Sequence, residues 1–563
     1  MVTVEVATRV MKRSIVAAPS GRVRSRPEAG QTELLRGSRV AVAFVLLAVL
    51  ASGVFGQQTR NLEIIWVKHA PENMYTYGHT ISSGDFNGDG FSDIVFVTES
   101  IVSSNSACYR AMIFNGGVPF DTLPDLVIAR MDSFGFLVAA GVGDINGDGF
   151  DDLALASPYH RVYVYLGGSP MDTVCDYVLQ EPALGFGWSV AGGDLNGDGY
   201  NDIIVGAAYA YGPHGSEGAV YVYYGSREFD TQADLILPGG HEGQSEGLGS
   251  GVASGGDVNG DGYEDLVAGA VGFGGASLGR IYVYYGGNPM DTTADVAMIG
   301  PSAYSGLGES GLAILRRDDD FDCVAAGAHD ANDERGRVYV LYGGHEMDSV
   351  PDLVIDGPCP QTDLGRSTAS GGRFNGGRYD ALLAGALYEQ DTAPGMAYVW
   401  MGQKYMDTIP CAWMRGDSVN DWVGEVMHCA GDVDGDGLDE IVVGNYSAFH
   451  GTRVRVWVCK YASAGNSESR PRYQVGRALS VTPNPCRRQA VIEFCPGGSR
   501  AIRVCDRAGR EVIRLKPEPA GPQGSAVTWN LRDASGRPVP NGIYFAFADP
   551  AASAGAEAFV VLR

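Results

Sequence analysis

The residues best able to do chemistry in this chain recur as one short phrase, Asp194-Leu-Asn196-Gly-Asp198-Gly199-Tyr200-Asn-Asp202. Carboxylate or amide oxygens fall at positions 1, 3, 5 and 9, and the carbonyl of position 7 adds another. That is the ligand set a hard cation such as calcium draws from a tight loop. Glycine at position 6 supplies the positive φ of the turn, which a Cβ would penalise. Four further copies give Asp85, Asn87, Asp89, Phe91 and Asp93; Asp144, Asn146, Asp148, Phe150 and Asp152; Asp257, Asn259, Asp261, Tyr263 and Asp265; and Asp432, Asp434, Asp436, Leu438 and Glu440. The residues at position 7, including Tyr200, contribute main-chain carbonyls only. The expectation is about five Ca2+ sites of structural use, each clamping a hairpin whose carboxylates otherwise repel one another.

The elements that must carry these loops follow from their spacing. First positions fall at 85, 144, 194, 257 and 432, so the last gap holds two concealed repeats, near 315 and 373. Both are present in altered form. Arg373-Phe-Asn375-Gly-Gly377-Arg-Tyr379-Asp380 has Arg at position 1 and Gly at position 5. Arg316-Arg317-Asp318-Asp319-Asp320-Phe-Asp322 is acidic but out of register and lacks the turn glycine. These two are expected to bind calcium poorly or not at all. Every repeat runs through the same parts: a Phe-Gly or Leu-Gly opening to a small-residue strand (186–193), the Asp loop, an apolar strand (203–207), and an alternating aromatic strand (220–225). A Met-Asp-Thr turn and a more polar fourth strand complete it. Four short strands per unit in a radial array define a β-propeller. The period near 58 exceeds that of WD40 or kelch units.

With these parts the units resemble FG-GAP repeats, the calcium-binding propeller units of integrin alpha subunits and many bacterial surface proteins. The resemblance covers residues 61–461. It implies that the Asp loop joins the first and second strands of each blade on one face and that seven blades close the ring. Leu62–Val67 then reads as an orphan fourth strand that completes the seventh blade beside 454–458, so losing 61–68 would leave an open sheet edge.

Composition agrees with many short strands and tight turns: 80 of 563 residues are Gly, and Tyr outnumbers Phe. The net charge of −26 is unevenly spread, since residues 61–474 hold 20 basic and 57 acidic side chains. A surface this acidic argues against nucleic acid, which needs a basic stripe.

Residues 1–56 combine an Arg-rich segment, the apolar run 40–51 and then small residues, the order of a secretory signal peptide. An uncleaved signal anchor is the alternative. Either way the protein is expected outside the cytoplasm, secreted or on a bacterial cell surface, touching a membrane only through export or anchoring. The ten Cys show no framework spacing; Cys495 with Cys505 and Cys429 with Cys459 could pair, or each could be a buried free thiol.

A polar linker (462–474) leads to residues 475–563, which alternate as short strands and read as a small antiparallel sandwich. Pro483-Asn-Pro485, Trp529-Asn530, Asp533–Tyr544 and the closing Phe559-Val-Val-Leu resemble the flagellar-hook-capping-type Ig-like domain and the C-terminal sorting domain of bacterial type IX secretion. A plain stalk is the other reading. The fold class is therefore all-β, a seven-bladed β-propeller followed by an Ig-like β-sandwich.

None of the nine His sits in HExxH or another zinc spacing, and GxxxxGK[ST] and CxxC are missing. The best-supported role is a ligand-binding or adhesion module for an extracellular protein or glycan. A polysaccharide lyase or hydrolase on a calcium propeller and a purely structural surface protein are the alternatives. A binding face is expected opposite the Asp loops, where Tyr209, Tyr211, His214, His241 and Glu242 lie on neighbouring connections.

Overall fold

The computed structural model describes residues 58–462, with short gaps in several connections, and seven strands with adjoining turns between 479 and 561. Residues 1–57, which hold the expected export segment, and most of the linker lie outside the described residues, as do His214, His241, Glu242 and Cys495. Among the described residues no helix is long and apolar enough to cross a membrane, which says nothing about a β-barrel.

Seven antiparallel sheets make the propeller. Blade 1 spans 74–130, blade 2 138–179, blade 3 186–238, blade 4 248–299 and blade 5 312–356. Blade 6 (368–415) takes Gln58–Arg60 as a fifth strand, and blade 7 (423–461) takes Leu62–His69 as its outer one. The orphan strand thus does close the ring, running antiparallel to Arg455–Tyr461 from Leu62 opposite Tyr461 to His69 opposite Arg455. Gln58–Arg60, the extra strand on blade 6, carries no apolar alternation that would have announced it.

The core is divided among the blade interfaces. Each of seven apolar clusters is built from facing sides of two neighbouring blades, and the one joining blade 7 to blade 1 sets Trp66 against Phe114, on which Phe96 stacks. This is why the second strands read as unbroken apolar runs: both faces of Asp202–Ala207 are buried.

Two glycines set the blade spacing. The opening glycine of blade 4, Gly249, has φ +86, and its carbonyl oxygen would lie 2.2 Å from a Cβ at Gly206 on the second strand of blade 3. The same contact joins Gly269 to Gly308, Gly327 to Gly365 and Gly385 to Gly424. The Phe-Gly opening and the Gly-Ala close of a repeat are therefore two halves of one interface.

The C-terminal strands form one antiparallel sheet of three (Leu479–Thr482, Ala490–Phe494, Ser525–Trp529) and one of four (Glu511–Leu515, Ala501–Asp506, Gly542–Asp549, Glu557–Val561). Trp529 is buried, donates from Nε1 to the Arg532 carbonyl at 2.7 Å and meets Tyr544 edge to face. Cys429 and Cys459 are free. Both stand opposite Ile441, on the strands flanking it, so a full strand separates them at about 10 Å, beyond disulfide reach.

Candidate metal centres and the axial cavity

Each Asp loop joins the first and second strands of its blade, as the repeat pattern requires. In blade 3, Asp194 accepts from the main-chain N–H of Asp198 (3.1 Å) and of Gly199 (3.0 Å). Asn196 Oδ1 accepts from Asp198 N–H and Asp198 Oδ1 from Tyr200 N–H, so positions 1, 3 and 5 fold inward on one turn. Gly199 has φ +91, and its counterparts Gly90, Gly149, Gly262 and Gly437 lie between +84 and +94.

Position 9 is buried beneath the loop. Asp202 is 0% exposed and accepts from Leu195 N–H (2.8 Å) and Gly225 N–H (2.9 Å). Burial, with the loop's own carboxylates adding to it, lifts Asp93, Asp152, Asp202 and Asp265 from 3.8 to about 7, against the opposing pull of the main-chain donors. Glu440 rises for the same reasons to about 8. Its described donor is Val433 N–H at 3.0 Å; the place of the second donor, a Gly N–H in the other blades, is taken by Tyr461, which here ends the third strand and pairs with Leu62. Glu440 Oε1 is buried without a partner. One oxygen each from Asp432, Asp434 and Glu440 lies within 4.8 Å of the others. Among the described residues no other loop gathers three acidic ligand atoms so closely.

Three loops hold a tethered cation. Lys460 Nζ is 3.0 Å from Asp434 Oδ2 and 3.3 Å from Asp436 Oδ2. In blade 6, Arg373 replaces the position 1 acid, and its guanidinium binds Asp380 (3.1 Å) and Asp318 (2.5 Å). In blade 5, Arg317 donates to the carbonyls of Phe321 and Lys404 and lies over the rings of Tyr342 and Tyr379. Cys323 and Ala381 stand where the intact loops have the buried position 9 acid.

Position 8 does work the sequence did not reveal. The carboxylates of Asp151, Glu264, Asp322, Asp380 and Asp439 each accept the main-chain N–H of position 1 in the preceding blade, at 2.5–3.0 Å. At six of the seven junctions the position 8 N–H returns a bond to that residue's carbonyl. Position 7 then covers the preceding loop: a Cβ at Gly197 would stand 2.7 Å from the Tyr263 ring. The loops form one continuous ring.

At the opposite end of the first strands a cavity of about 550 Å³ lies on the propeller axis, lined by residues of all seven blades. Its charged and aromatic side chains, Trp188, Glu309, Arg366 and Glu425, come from one column of the repeat, the position after the opening glycine, which also holds Ser250. Arg366 Nη1 is 3.0 Å from His329 Nε2 and 3.7 Å from Glu309 Oε1. Burial holds His329 down at about 4 and raises Glu425 to about 7, with Arg366 opposing the latter. Tyr209, expected on the binding face, meets Trp188 edge to face at 4.9 Å, and Tyr211 is 74% exposed on a small hairpin.

The fold is a seven-bladed β-propeller, and four of its blades match the FG-GAP repeat. The FG-GAP repeat model matches residues 136–165, 186–223, 248–284 and 429–459, which are blades 2, 3, 4 and 7. The chain is similar to integrin alpha-5 of Xenopus laevis, 30% identical over 216 residues, or 35% of this chain and 20% of the relative. It is also similar to phosphatidylinositol-glycan-specific phospholipase D of Rattus norvegicus, 28% identical over 354 residues, 53% of this chain and 42% of the relative. The Bos taurus phospholipase D is 32% identical over 356 residues, with the same coverage. The chain thus spans under half the length of these relatives.

Proposed function

We propose that this protein is an exported, surface-displayed binding module whose propeller is held by structural calcium and whose Ig-like tail serves for attachment. The observation that carries the calcium reading is the buried position 9 carboxylate set beside three further loop oxygens in five blades, with Glu440 Oε1 left partnerless. An ion of charge +2 would relieve that crowding without a proton. The residues holding it would be the side chains at positions 1, 3, 5 and 9 and the carbonyl at position 7. Its role would be to fix the hairpin, with no part in catalysis.

The binding reading is supported by the contrast between an invariant frame and the varied column that lines the axial cavity. A glycan array run with calcium and after metal removal tests it, with an extracellular-matrix protein panel beside it. Binding in calcium that fades on chelation supports the proposal; absence of binding on both panels removes it. The grouping of Glu309, Arg366 and Glu425 also favours a second reading, a polysaccharide-active enzyme, since it brings acid and cation to one wall. Release of reducing ends from a bound polysaccharide would support that reading over simple binding.

A further inference from the structure

We propose that the axial cavity is a sugar site that takes one neutral hexopyranose ring, with Trp188 under its apolar face and the Glu309–Arg366–Glu425 arc on its hydroxyls. This rests on the binding role proposed above and gives it a place and a ligand class.

The size is right: about 550 Å³ falls within the roughly 300–1,000 Å³ of small-molecule sites. The wall is two-sided. Blades 5, 6 and 7 are consecutive and supply Glu309, Arg366 and Glu425, whereas Trp188 belongs to blade 3, across the axis from blades 6 and 7 in a seven-membered ring. Trp188 remains 41% exposed although it lies on an inner strand, and its ring is braced at 86° by Tyr209. An indole on one side and hydrogen-bonding charges on the other match a ligand with an apolar face and a rim of hydroxyls.

The polar side is unfinished in the protein itself. Glu425 Oε2, on a cavity-lining residue, is buried without a hydrogen-bond partner. Such a group is costly to leave unpaired, so a ligand that bonds to this side chain gains what the fold forgoes. The sign of the charge narrows the class further. Two carboxyl groups face one guanidinium, and that guanidinium is already engaged by Glu309 and His329. A uronic acid would bring a third carboxylate and is disfavoured. A simple organic cation would meet Arg366 and is disfavoured too.

The test is saturation-transfer NMR and calorimetry on the calcium-loaded full chain. The probes are glucose, galactose, mannose, glucosamine, N-acetylglucosamine, glucuronic acid and tetramethylammonium. Variants are Trp188→Ala, Trp188→Phe and Glu425→Gln, with Ile409→Ser as an exposed control and melting curves as the folding check. The expected result is saturation transfer to at least one neutral hexose, weaker transfer to glucosamine, and none to glucuronic acid. Affinity should fall about tenfold in Trp188→Ala and Glu425→Gln, stay near wild type in Ile409→Ser, and be largely kept by Trp188→Phe. Should Trp188→Ala fail to fold, Glu425→Gln and Trp188→Phe carry the comparison. The site is overturned if no hexose binds, if both cavity variants bind as well as wild type, or if glucuronic acid or tetramethylammonium binds best. Array binding that survives in both variants would leave the binding role standing and remove only this site.

Discussion

Removing metal should destabilise the propeller far more at pH 8 than at pH 5.5. The reason lies in the five position 9 carboxylates, lifted from 3.8 to about 7 for Asp93, Asp152, Asp202 and Asp265, and from 4.5 to about 8 for Glu440. Their folded pKa values lie above the unfolded ones, so the metal-free fold holds protons that the unfolded chain has released. Its stability therefore falls as pH rises through that window and levels off above the folded values. From pH 5.5 to 7 each such group loses about 2 kcal/mol at about 1.36 kcal/mol per unit, or about 10 kcal/mol for five. An unfolding entropy of about 2.1 cal/mol/K per residue over roughly 400 residues is about 0.8 kcal/mol/K, so Tm should drop by about 12 °C. Bound calcium keeps the loops ionised at both pH values, and the calcium-loaded curve should move little. Scanning calorimetry on protein stripped with EDTA and chelating resin, against protein in excess calcium, reads both. Glu425 titrates in the same window outside any loop, so Glu425→Gln serves as the background. Equal Tm losses at the two pH values would refute the argument.

Replacing Lys460 with Met removes an ammonium 3.0 Å from Asp434, so metal affinity at the seventh loop should rise about tenfold while the metal-free Tm falls slightly; terbium titration and melting curves measure the two. Arg373→Met leaves the Asp380 carboxylate, 6% exposed, without its guanidinium. It should cost about 3 kcal/mol equally with and without calcium, whereas Asp198→Ala should cost stability only when calcium is present; paired melting curves separate them. Deleting residues 58–69 removes the outer strand of blade 7 and Trp66 from the closing cluster. A loss of at least about 4 kcal/mol from the Trp alone is expected, together with oligomers joined at the bared edge, visible by light scattering on a sizing column.

Much of the ring was legible because its instructions are local. Asp194 to Asp202 carries its own turn glycine and its own ligands, and a strand such as Leu62–His69 that follows no loop has to complete a blade elsewhere. What stayed hidden depends on rotation about the axis. Asp151 reads as one more acid of its own loop, but its partner is the N–H of Asp85, 66 residues earlier, in the next sheet. The cavity column was hidden for the same reason. Within single repeats Trp188, Ser250, Glu309, Arg366 and Glu425 are ordinary strand residues of unrelated types, and only superposing the repeats on their opening glycines shows that they converge. The signal was present in the sequence as a varied position beside an unvarying glycine.

The two halves of the ring differ in how their loops are neutralised, and this bears on the cavity. Among the described contacts, positions 1, 3, 5 and 9 of the Asp loops in blades 1 to 4 meet no tethered cation, Arg316 reaching only Glu264 at position 8 of blade 4 (3.8 Å), while blades 5, 6 and 7 hold Arg317, Arg373 and Lys460 in theirs. The Glu309–Arg366–Glu425 arc stands on the second half and Trp188 on the first. If the loops of blades 1 to 4 depend on a diffusible ion, its removal loosens the aromatic wall while the charged wall keeps its covalent counter-charges. Metal loss should then expose the Trp188–Tyr209 side before the arc, and hydrogen exchange should show protection failing in Phe186–Gly193 ahead of Leu312–Leu315. Uniform loss around the ring would mean that the tethered cations do not substitute for calcium.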